Sequence, residues 1–199
     1  MHNVIRAMEL ASKDQIDRGM QWYSNARAWS QWCSDEFHDL GLTTRQIASM
    51  IAVMSPRNRW EWNLQDVINL LNAIRSGGDP RIVPCHSFNS NKYKAIAIAR
   101  GEAYEIKSKK VGAFIDNITD PCSARVTVDV WAYRVYLGDY KLQAVKLAPK
   151  LYDHIEAQYL EVARLYDIRG YELQAITWSV ARDTGARFDE VVPDQSFIR

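Results

Sequence analysis

The middle of the chain contains the segments Lys107-Ser-Lys-Lys-Val-Gly-Ala-Phe-Ile-Asp-Asn-Ile118 and Val126-Thr-Val-Asp-Val-Trp-Ala-Tyr-Arg-Val-Tyr136. Apolar residues recur at helical spacing in the first segment, which predicts a short helix that begins in a lysine-rich turn. In the second, an extended Val-Thr-Val leads into Asp129, and apolar positions at helical spacing follow. Asp129 therefore occupies the position of a helix N-cap. The two segments predict a helix–turn–helix pair with lysines at the start of one helix and a carboxylate at the start of the other.

This pair resembles the core of the helix-hairpin-helix DNA glycosylases. Their signature is Leu-Pro-Gly-Val-Gly-x-Lys-x-Ala, an apolar helix, a short loop and then Val-x-Val-Asp before a further helix. In this chain the signature lysine falls on Lys110 and the signature aspartate on Asp129, so their separation is 19 residues (129 − 110). That spacing resembles the 8-oxoguanine glycosylase branch, whose Val-x-Val-Asp-Val motif is matched at each position by residues 126–130.

The hairpin itself departs from the family pattern. Ile106 and Ser108 stand where the family has glycines, and Glu105 stands where it has proline. The resemblance therefore implies an all-α, two-lobed HhH-GPD glycosylase-like fold with a degenerate hairpin. In such a fold, residues 1–199 form a single domain around a central cleft.

The resemblance implies a catalytic role for Lys110 and Asp129. A lysine amine can attack the sugar C1′ and form a Schiff base once desolvation or neighbouring positive charge lowers its pKa. Lys107 and Lys109 supply such charge and, with Ser108, are predicted to contact DNA phosphates. The carboxylate of Asp129 would stabilise the positive charge that develops as the glycosidic bond breaks, or position a nucleophile and shuttle its proton. The alternatives are three solvated lysines at a helix start and an aspartate that is only a cap.

A second group of candidate residues occupies positions 55–63, between two predicted apolar helices. In the resembled family, the corresponding loop enters the duplex and fills the space left by a flipped nucleotide. Arginine and asparagine side chains suit contacts with base edges and phosphates, and a tryptophan ring can stack on a base, with Trp62 favoured over Trp60. The alternative places one tryptophan in the core and leaves the arginines solvated. The residues predicted to contact DNA here are Arg57, Asn58, Arg59, Trp60, Trp62 and Asn63.

Composition excludes several classes of protein. The formal net charge of the 199-residue chain is +1, so a DNA-binding surface must come from local clustering of basic residues. The chain has three cysteines without CxxC spacing, which predicts reduced thiols, no zinc site and too few ligands for an iron–sulfur cluster. The four histidines lack metal-ligand spacing and are interpreted as surface or satisfied residues. No signal peptide or long apolar run is present, so we expect a soluble cytoplasmic protein without cofactor, metal or membrane partner.

A second resemblance covers more of the chain. The motifs Ala52-x-Met-Ser-Pro-x-x-x-Trp-x-x-Asn63 and Gln174-Ala-Ile-Thr-Trp178, with Lys110-Val and Val-Asp129, are similar to those of a group of small phage proteins related to the glycosylase fold. The resemblances imply a DNA N-glycosylase, with or without lyase activity, that acts on a flipped base in duplex DNA. A phage protein would do so in the host cytoplasm. Two alternatives are a base-hypermodifying transferase on the same fold and a catalytically silent DNA-binding protein.

The remaining elements are predicted from periodicity and breakers. Gly19 is expected to end the first helix, Thr43 or Thr44 to cap the third, and Ser55-Pro56 to end it. Pro149 marks either a break or a helix start. Besides the central pair, helices are predicted at residues 3–17, 20–39, 45–54, 60–75, 92–100, 140–157, 159–167 and 172–184.

Overall fold

A computed structural model describes residues 1–102, 105–143 and 147–189 of the chain, with side chains up to residue 183. All regular secondary structure in these ranges is helical, which confirms the predicted all-α class. Within them, no helix combines the length and apolar character that a membrane crossing requires. The helices are α1 (His2–Glu9), α2 (Lys13–Glu36), α3 (Thr44–Met54), α4 (Trp60–Arg75), α5 (Asn89–Ala99), α6 (Lys109–Thr119), α7 (Val130–Leu137), α8 (Pro149–Leu165) and α9 (Gly170–Asp189).

The chain divides into two compact units, and one of them consists of residues 26–119. In this unit α3 packs against α4, α5 and α6, and its residues from Ile47 to Met54 are buried except Ser49. A capping box fixes the start of α3, because Thr43 Oγ1 accepts from the Gln46 backbone N–H while Gln46 Oε1 accepts from the Thr43 N–H. Of the two predicted caps, Thr43 and Thr44, the structure shows Thr43. The far end of α3 leads directly into the loop discussed below.

The other unit contains residues 1–25 and the described residues from 120 onward. Here α9 packs against α1, α7 and α8. The core includes the fully buried side chains of Val4, Val126, Ile155, Tyr159 and Leu173. Because Val126 belongs to this core, the extended segment that precedes α7 is held inside the unit rather than on its surface.

The prediction that Gly19 ends the first helix is wrong. Helix α1 ends at Glu9, and α2 continues through Gly19 without interruption. A Cβ atom at position 19 would lie 2.6 Å from the backbone nitrogen of Ile176, so glycine permits close approach of α2 to α9. The true start of α2 has a capping box, since Ser12 Oγ accepts from the Gln15 N–H and Gln15 Oε1 accepts from the Ser12 N–H.

The prediction of separate helices at 140–157 and 159–167 is also wrong. Helix α8 is continuous from Pro149 to Leu165, with Pro149 in the first turn, where its missing N–H is not needed. Part of the first predicted helix, residues 144–146, lies outside the described residues, and the described neighbours on either side are not helical. Two other boundaries shift outward, since α5 begins at Asn89 and α9 spans Gly170–Asp189.

Candidate nucleic-acid interface and catalytic residues

The loop between α3 and α4, Ser55–Arg59, carries the two predicted DNA-contacting arginines. It begins as a turn in which Ser55 Oγ donates to the Ala52 carbonyl at 2.9 Å and the Asn58 N–H donates to the Ser55 carbonyl at 3.1 Å. Arg57 has a φ of 57°, a left-handed conformation that costs a non-glycine residue about 1–2 kcal/mol. Both arginines are exposed. The loop thus presents two guanidinium groups on a backbone that includes an unfavourable conformation.

A buried carboxylate, that of Asp66 in α4, fixes this loop. Its side chain has no solvent exposure and accepts hydrogen bonds from Asn58 Nδ2 at 3.1 Å, from the His86 backbone N–H at 3.0 Å and from His86 Nδ1 at 3.0 Å. The Ser87 backbone N–H lies farther away, at 3.3 Å. Burial of a carboxylate is tolerated when such donors replace the lost water. Asp66 therefore connects the loop to the chain around His86.

Three side chains stack beside Asp66. The Trp62 and His86 rings are stacked, with centroids 4.6 Å apart and an interplanar angle of 21°. The Arg59 guanidinium lies over the same Trp62 ring, 4.5 Å from its centroid. Trp60, the first residue of α4, is half-buried. The Trp62 ring, which the sequence favours for stacking on a base, is thus in contact with two side chains of its own unit, and it supports Arg59 and His86.

Asn63 is buried, unlike the other predicted DNA-contacting residues. Its Nδ2 donates to the Ile51 carbonyl at 3.0 Å, so the side chain joins α4 to the last turns of α3. Within the described part of the chain, the buried Oδ1 atoms of Asn63 and Asn58 have no hydrogen-bond partner. A buried acceptor without a partner costs about 1–3 kcal/mol. The left-handed backbone of Arg57 and these two oxygens are unfavourable local features in or next to the loop, and such features are common at functional sites.

The residues that precede and begin α6 form the second predicted DNA contact. Lys107, Ser108 and Lys109 are exposed, whereas Lys110, in the first turn of α6, is half-buried. Lys107 Nζ lies 3.4 Å from Glu105 Oε2, but both side chains are more than three-quarters exposed, so the pair contributes little stability. Lys110 therefore differs from its lysine neighbours in the degree of solvation of its side chain.

A cavity of about 90 Å³ lies where this segment meets the loop. Its lining includes Pro56 from the loop, Lys107 and Ser108 from the segment before α6, and Lys94 from α5. Two stretches that the sequence assigns to DNA contact separately, and that lie far apart along the chain, are thus neighbours within one unit.

Asp129 is the N-cap of α7, as the sequence predicts. Its Oδ1 accepts from the Ala132 backbone N–H at 2.8 Å, and the residue is half-buried. The backbone at Asp129 is extended, with ψ near −172°, which is the usual conformation of a capping residue. The carboxylate therefore lies at the positive end of the α7 dipole, where a negative charge is stabilised.

Side chains, rather than a sheet, hold the extended segment before Asp129. The Tyr152 hydroxyl donates to the Val126 carbonyl at 2.8 Å and accepts from the Val128 N–H at 3.2 Å. Glu156 Oε1 accepts from the Val126 N–H at 2.9 Å. The backbone of this segment thus finds partners without a neighbouring strand, which a buried segment requires.

Buried tyrosines surround the same segment. The Tyr23 hydroxyl is hydrogen-bonded to Thr127 Oγ1 at 3.1 Å, and the Tyr159 hydroxyl donates to the Ala132 carbonyl at 3.3 Å. Burial raises the pKa of Tyr152 to about 12 and also raises the pKa of Tyr159. These two hydroxyls therefore stay protonated and keep donating at any physiological pH.

Lys110 and Asp129 belong to different units, Lys110 to residues 26–119 and Asp129 to the unit that contains α7 to α9. That the two act at one opening stays a prediction. In the described ranges, no group of three or more His, Cys, Asp or Glu side chains is arranged to hold a metal ion.

Sequence reasoning missed the pairing of Asp66 with His86. His86 is interpreted from the sequence as a surface or satisfied histidine, and 20 residues (86 − 66) separate it from Asp66 without any recognisable pattern. One signal was available. Asp66 shares the buried face of α4 with Asn63 and Leu70, at spacings of three and four residues. A carboxylate on an apolar helix face indicates a donor from elsewhere in the chain.

Residues 1–185 match the sequence profile of a protein family that is described as DUF7178, a family of unknown function. No curated protein and no solved structure shows significant similarity to the chain.

Proposed function

We propose that this chain, which belongs to the DUF7178 family, binds DNA and releases a modified or damaged base from a flipped nucleotide. The observation that carries the proposal is the cavity that Pro56, Lys107 and Ser108 line together. It makes neighbours of the two stretches for which the sequence resemblance implies DNA contact. If the resemblance at either stretch had arisen by chance, there would be no reason for the two stretches to be neighbours in the fold.

Local charge supports a phosphate-binding surface in this unit. Among the described residues, Arg57 and Arg59 have no carboxylate within ion-pair distance, although the chain as a whole is almost neutral. Lys94 adds positive charge at the cavity, whereas the charge of Lys107 is offset by Glu105, 3.4 Å away. Phosphate contacts release condensed counterions, so binding through these residues depends steeply on salt.

The chemistry of base release requires the nucleotide to leave the stack, because the bond from C1′ to the base is not reachable inside a duplex. In the proposed reaction the Lys110 amine forms a bond to C1′ while the C1′–N bond to the base breaks. The base leaves with that electron pair and takes up the proton that the lysine nitrogen loses after it has bonded to C1′. Proton transfer from the new amine to the ring oxygen then opens the sugar and gives a Schiff base. Asp129 stabilises the positive charge on the sugar during bond breakage.

Borohydride trapping tests this proposal. The protein is mixed with duplexes that carry an abasic site or one of a panel of modified bases, and sodium borohydride reduces any Schiff base to a stable amine. We expect a covalent protein–DNA adduct that Lys110→Ala abolishes. The control is Lys150→Ala, which removes an exposed lysine in the first turn of α8, outside the predicted DNA contacts, and should leave the adduct intact. An adduct that persists in Lys110→Ala, or neither adduct nor base release on any substrate, would contradict the proposal.

A second candidate function is DNA binding without chemistry. The replacement of the hairpin glycines favours it, since Ile106 and Ser108 here line the cavity as ordinary side chains. A silent binder would keep its affinity and salt dependence when Asp129 is neutralised, and it would show no base release.

A further inference from the structure

The donors around Asp66 determine which nitrogen of His86 carries a proton. The Asp66 carboxylate accepts from Asn58 Nδ2 and from the His86 backbone N–H, and both of these groups can only donate. An ionised carboxylate has no proton to offer, so the 3.0 Å contact with His86 Nδ1 requires the proton to be on Nδ1. In the neutral ring, Nε2 is then an acceptor.

The His86 ring is fixed in its plane and remains partly open to solvent. It lies nearly parallel to Trp62, at an interplanar angle of 21°, and its side chain is 49% exposed. Among the described residues, no hydrogen-bond partner is found for its Nε2. Rotation of the ring out of this plane would disrupt the stack on Trp62, and a flip within the plane would break the bond to Asp66. His86 thus presents a fixed acceptor beside the Arg59 guanidinium, which lies over the same tryptophan.

We infer that His86 reads the base edge of a nucleotide, with Asp66 as its positioning residue; this inference rests on the DNA binding proposed above. A donor that bonds to Nε2 lies in the plane of the imidazole ring. A planar partner in that position extends the imidazole plane, which is nearly parallel to the Trp62 ring. A nucleobase is such a partner, and an exocyclic amino group or ring N–H on its edge supplies the donor. A phosphate oxygen has no hydrogen to donate to a neutral Nε2.

Binding to oligonucleotides tests the role of His86. Duplexes with one unpaired A, C, G or T at the same position are titrated at several salt concentrations. We expect the wild-type protein to discriminate among the four bases by about 5- to 150-fold, the range of one good base-edge contact. His86→Ala should remove most of this discrimination and leave the salt dependence unchanged, because a contact with a base edge neutralises no phosphate and releases no counterion. The control is His38→Ala, which removes another exposed histidine and should preserve the preference.

Other outcomes overturn the inference in distinguishable ways. If His86→Ala weakens binding to all four duplexes equally and lowers the salt slope by about one contact, His86 binds phosphate. If it changes neither preference nor affinity, or if the wild-type protein shows no base preference, His86 makes no base contact. If the wild-type protein binds none of the duplexes, the proposed DNA binding fails first and the inference fails with it.

The positioning role of Asp66 has a spectroscopic readout that needs no substitution. Nitrogen-15 chemical shifts of the His86 ring, recorded at alkaline pH, should show a protonated Nδ1 and an unprotonated Nε2. The opposite tautomer would mean that Asp66 does not orient the ring. Asp66→Asn, if it folds, should lower base discrimination as His86→Ala does while the salt slope stays unchanged.

Discussion

The Tyr152 hydroxyl donates a 2.8 Å hydrogen bond to the carbonyl oxygen of Val126. It also accepts from the Val128 N–H, so a single oxygen satisfies both ends of the segment that leads into Asp129. The position of the candidate catalytic carboxylate therefore depends on a side chain from α8, and this dependence can be measured.

Tyr152→Phe should lower stability by about 1–3 kcal/mol, because it leaves the buried Val128 N–H and Val126 carbonyl without a partner. The Val128 amide should exchange with solvent faster, and the rate of base release should fall as Asp129 loses its fixed position. Thermal unfolding, amide hydrogen exchange and base-release assays measure these effects. Tyr159→Phe is the control and should cost less, because its hydroxyl contacts are longer, at 3.3 Å and 3.4 Å. Equal hydrogen exchange at Val128 in wild type and Tyr152→Phe would refute this account.

Two substitutions separate capping from catalysis at Asp129. Asn caps a helix as well as Asp does, so Asp129→Asn should keep stability within about 0.5 kcal/mol, whereas Asp129→Ala should lose about 0.5–2 kcal/mol. If Asp129 has the proposed role, both should reduce base release by about a hundredfold or more, since both remove the charge that this role requires. Unfolding curves and single-turnover base release report the two roles. Full activity of Asp129→Asn would make the residue a cap only.

Arg57→Gly should separate stability from DNA affinity. Glycine removes the strain of a φ of 57° but has a more flexible unfolded state, so we expect stability to be unchanged or raised by up to about 1 kcal/mol. DNA affinity should fall, and the slope of its logarithm against that of salt concentration should shrink by about 0.9 for one lost phosphate contact. Asp167, with a φ of 53° in the other unit, provides the control. Asp167→Gly should have the same effect on stability without loss of affinity. An unchanged salt slope in Arg57→Gly would exclude Arg57 from the interface.

Gly19→Ala should destabilise the unit formed by residues 1–25 and 120 onward. Its Cβ would meet the Ile176 backbone at 2.6 Å, and overpacking of this kind costs about 1–3 kcal/mol. Gly112→Ala is the matched control, because a Cβ at this position in α6 meets nothing within 4 Å. It should raise stability by about 0.5–1 kcal/mol through helix propensity. Denaturant unfolding of both variants checks the pair, and a Gly19→Ala protein as stable as wild type would contradict the observed packing of α2 against α9.

Stability should decline at alkaline pH because of the Cys33 thiol. Burial, with a smaller effect of Glu36, raises the pKa of Cys33 from 9.0 to about 12. The folded state therefore keeps a proton that the unfolded state loses, so this contribution is complete below pH 9 and disappears as pH rises to 12. At about 1.4 kcal/mol per pH unit, the total is on the order of 4 kcal/mol. Cys33→Ala should flatten the decline in pH-dependent urea unfolding. Cys122→Ala, at an exposed position, should not.

Local chemistry explains which parts of the structure were predictable. The N-caps Thr43 and Asp129 and the full extent of α4, Trp60–Arg75, follow from residues within a few positions of each helix end. The start of α2 was predictable on the same grounds from Ser12 and Gln15, but the glycine at position 19 suggested a break instead. A glycine is a helix breaker or a close-packing site according to what lies against it, and here that is Ile176 from α9.

The all-α class and the carboxylate at the start of α7 follow from local sequence, because capping and helical periodicity depend on neighbours one turn away. In contrast, the hydrogen bond between Asp66 and His86 and the cavity that Pro56 shares with Lys107 arise only when the chain is folded. These relationships join segments that are distant along the chain. Burial removes water from the Asp66 carboxylate, and only the folded chain brings Asn58 and His86 close enough to replace it as donors.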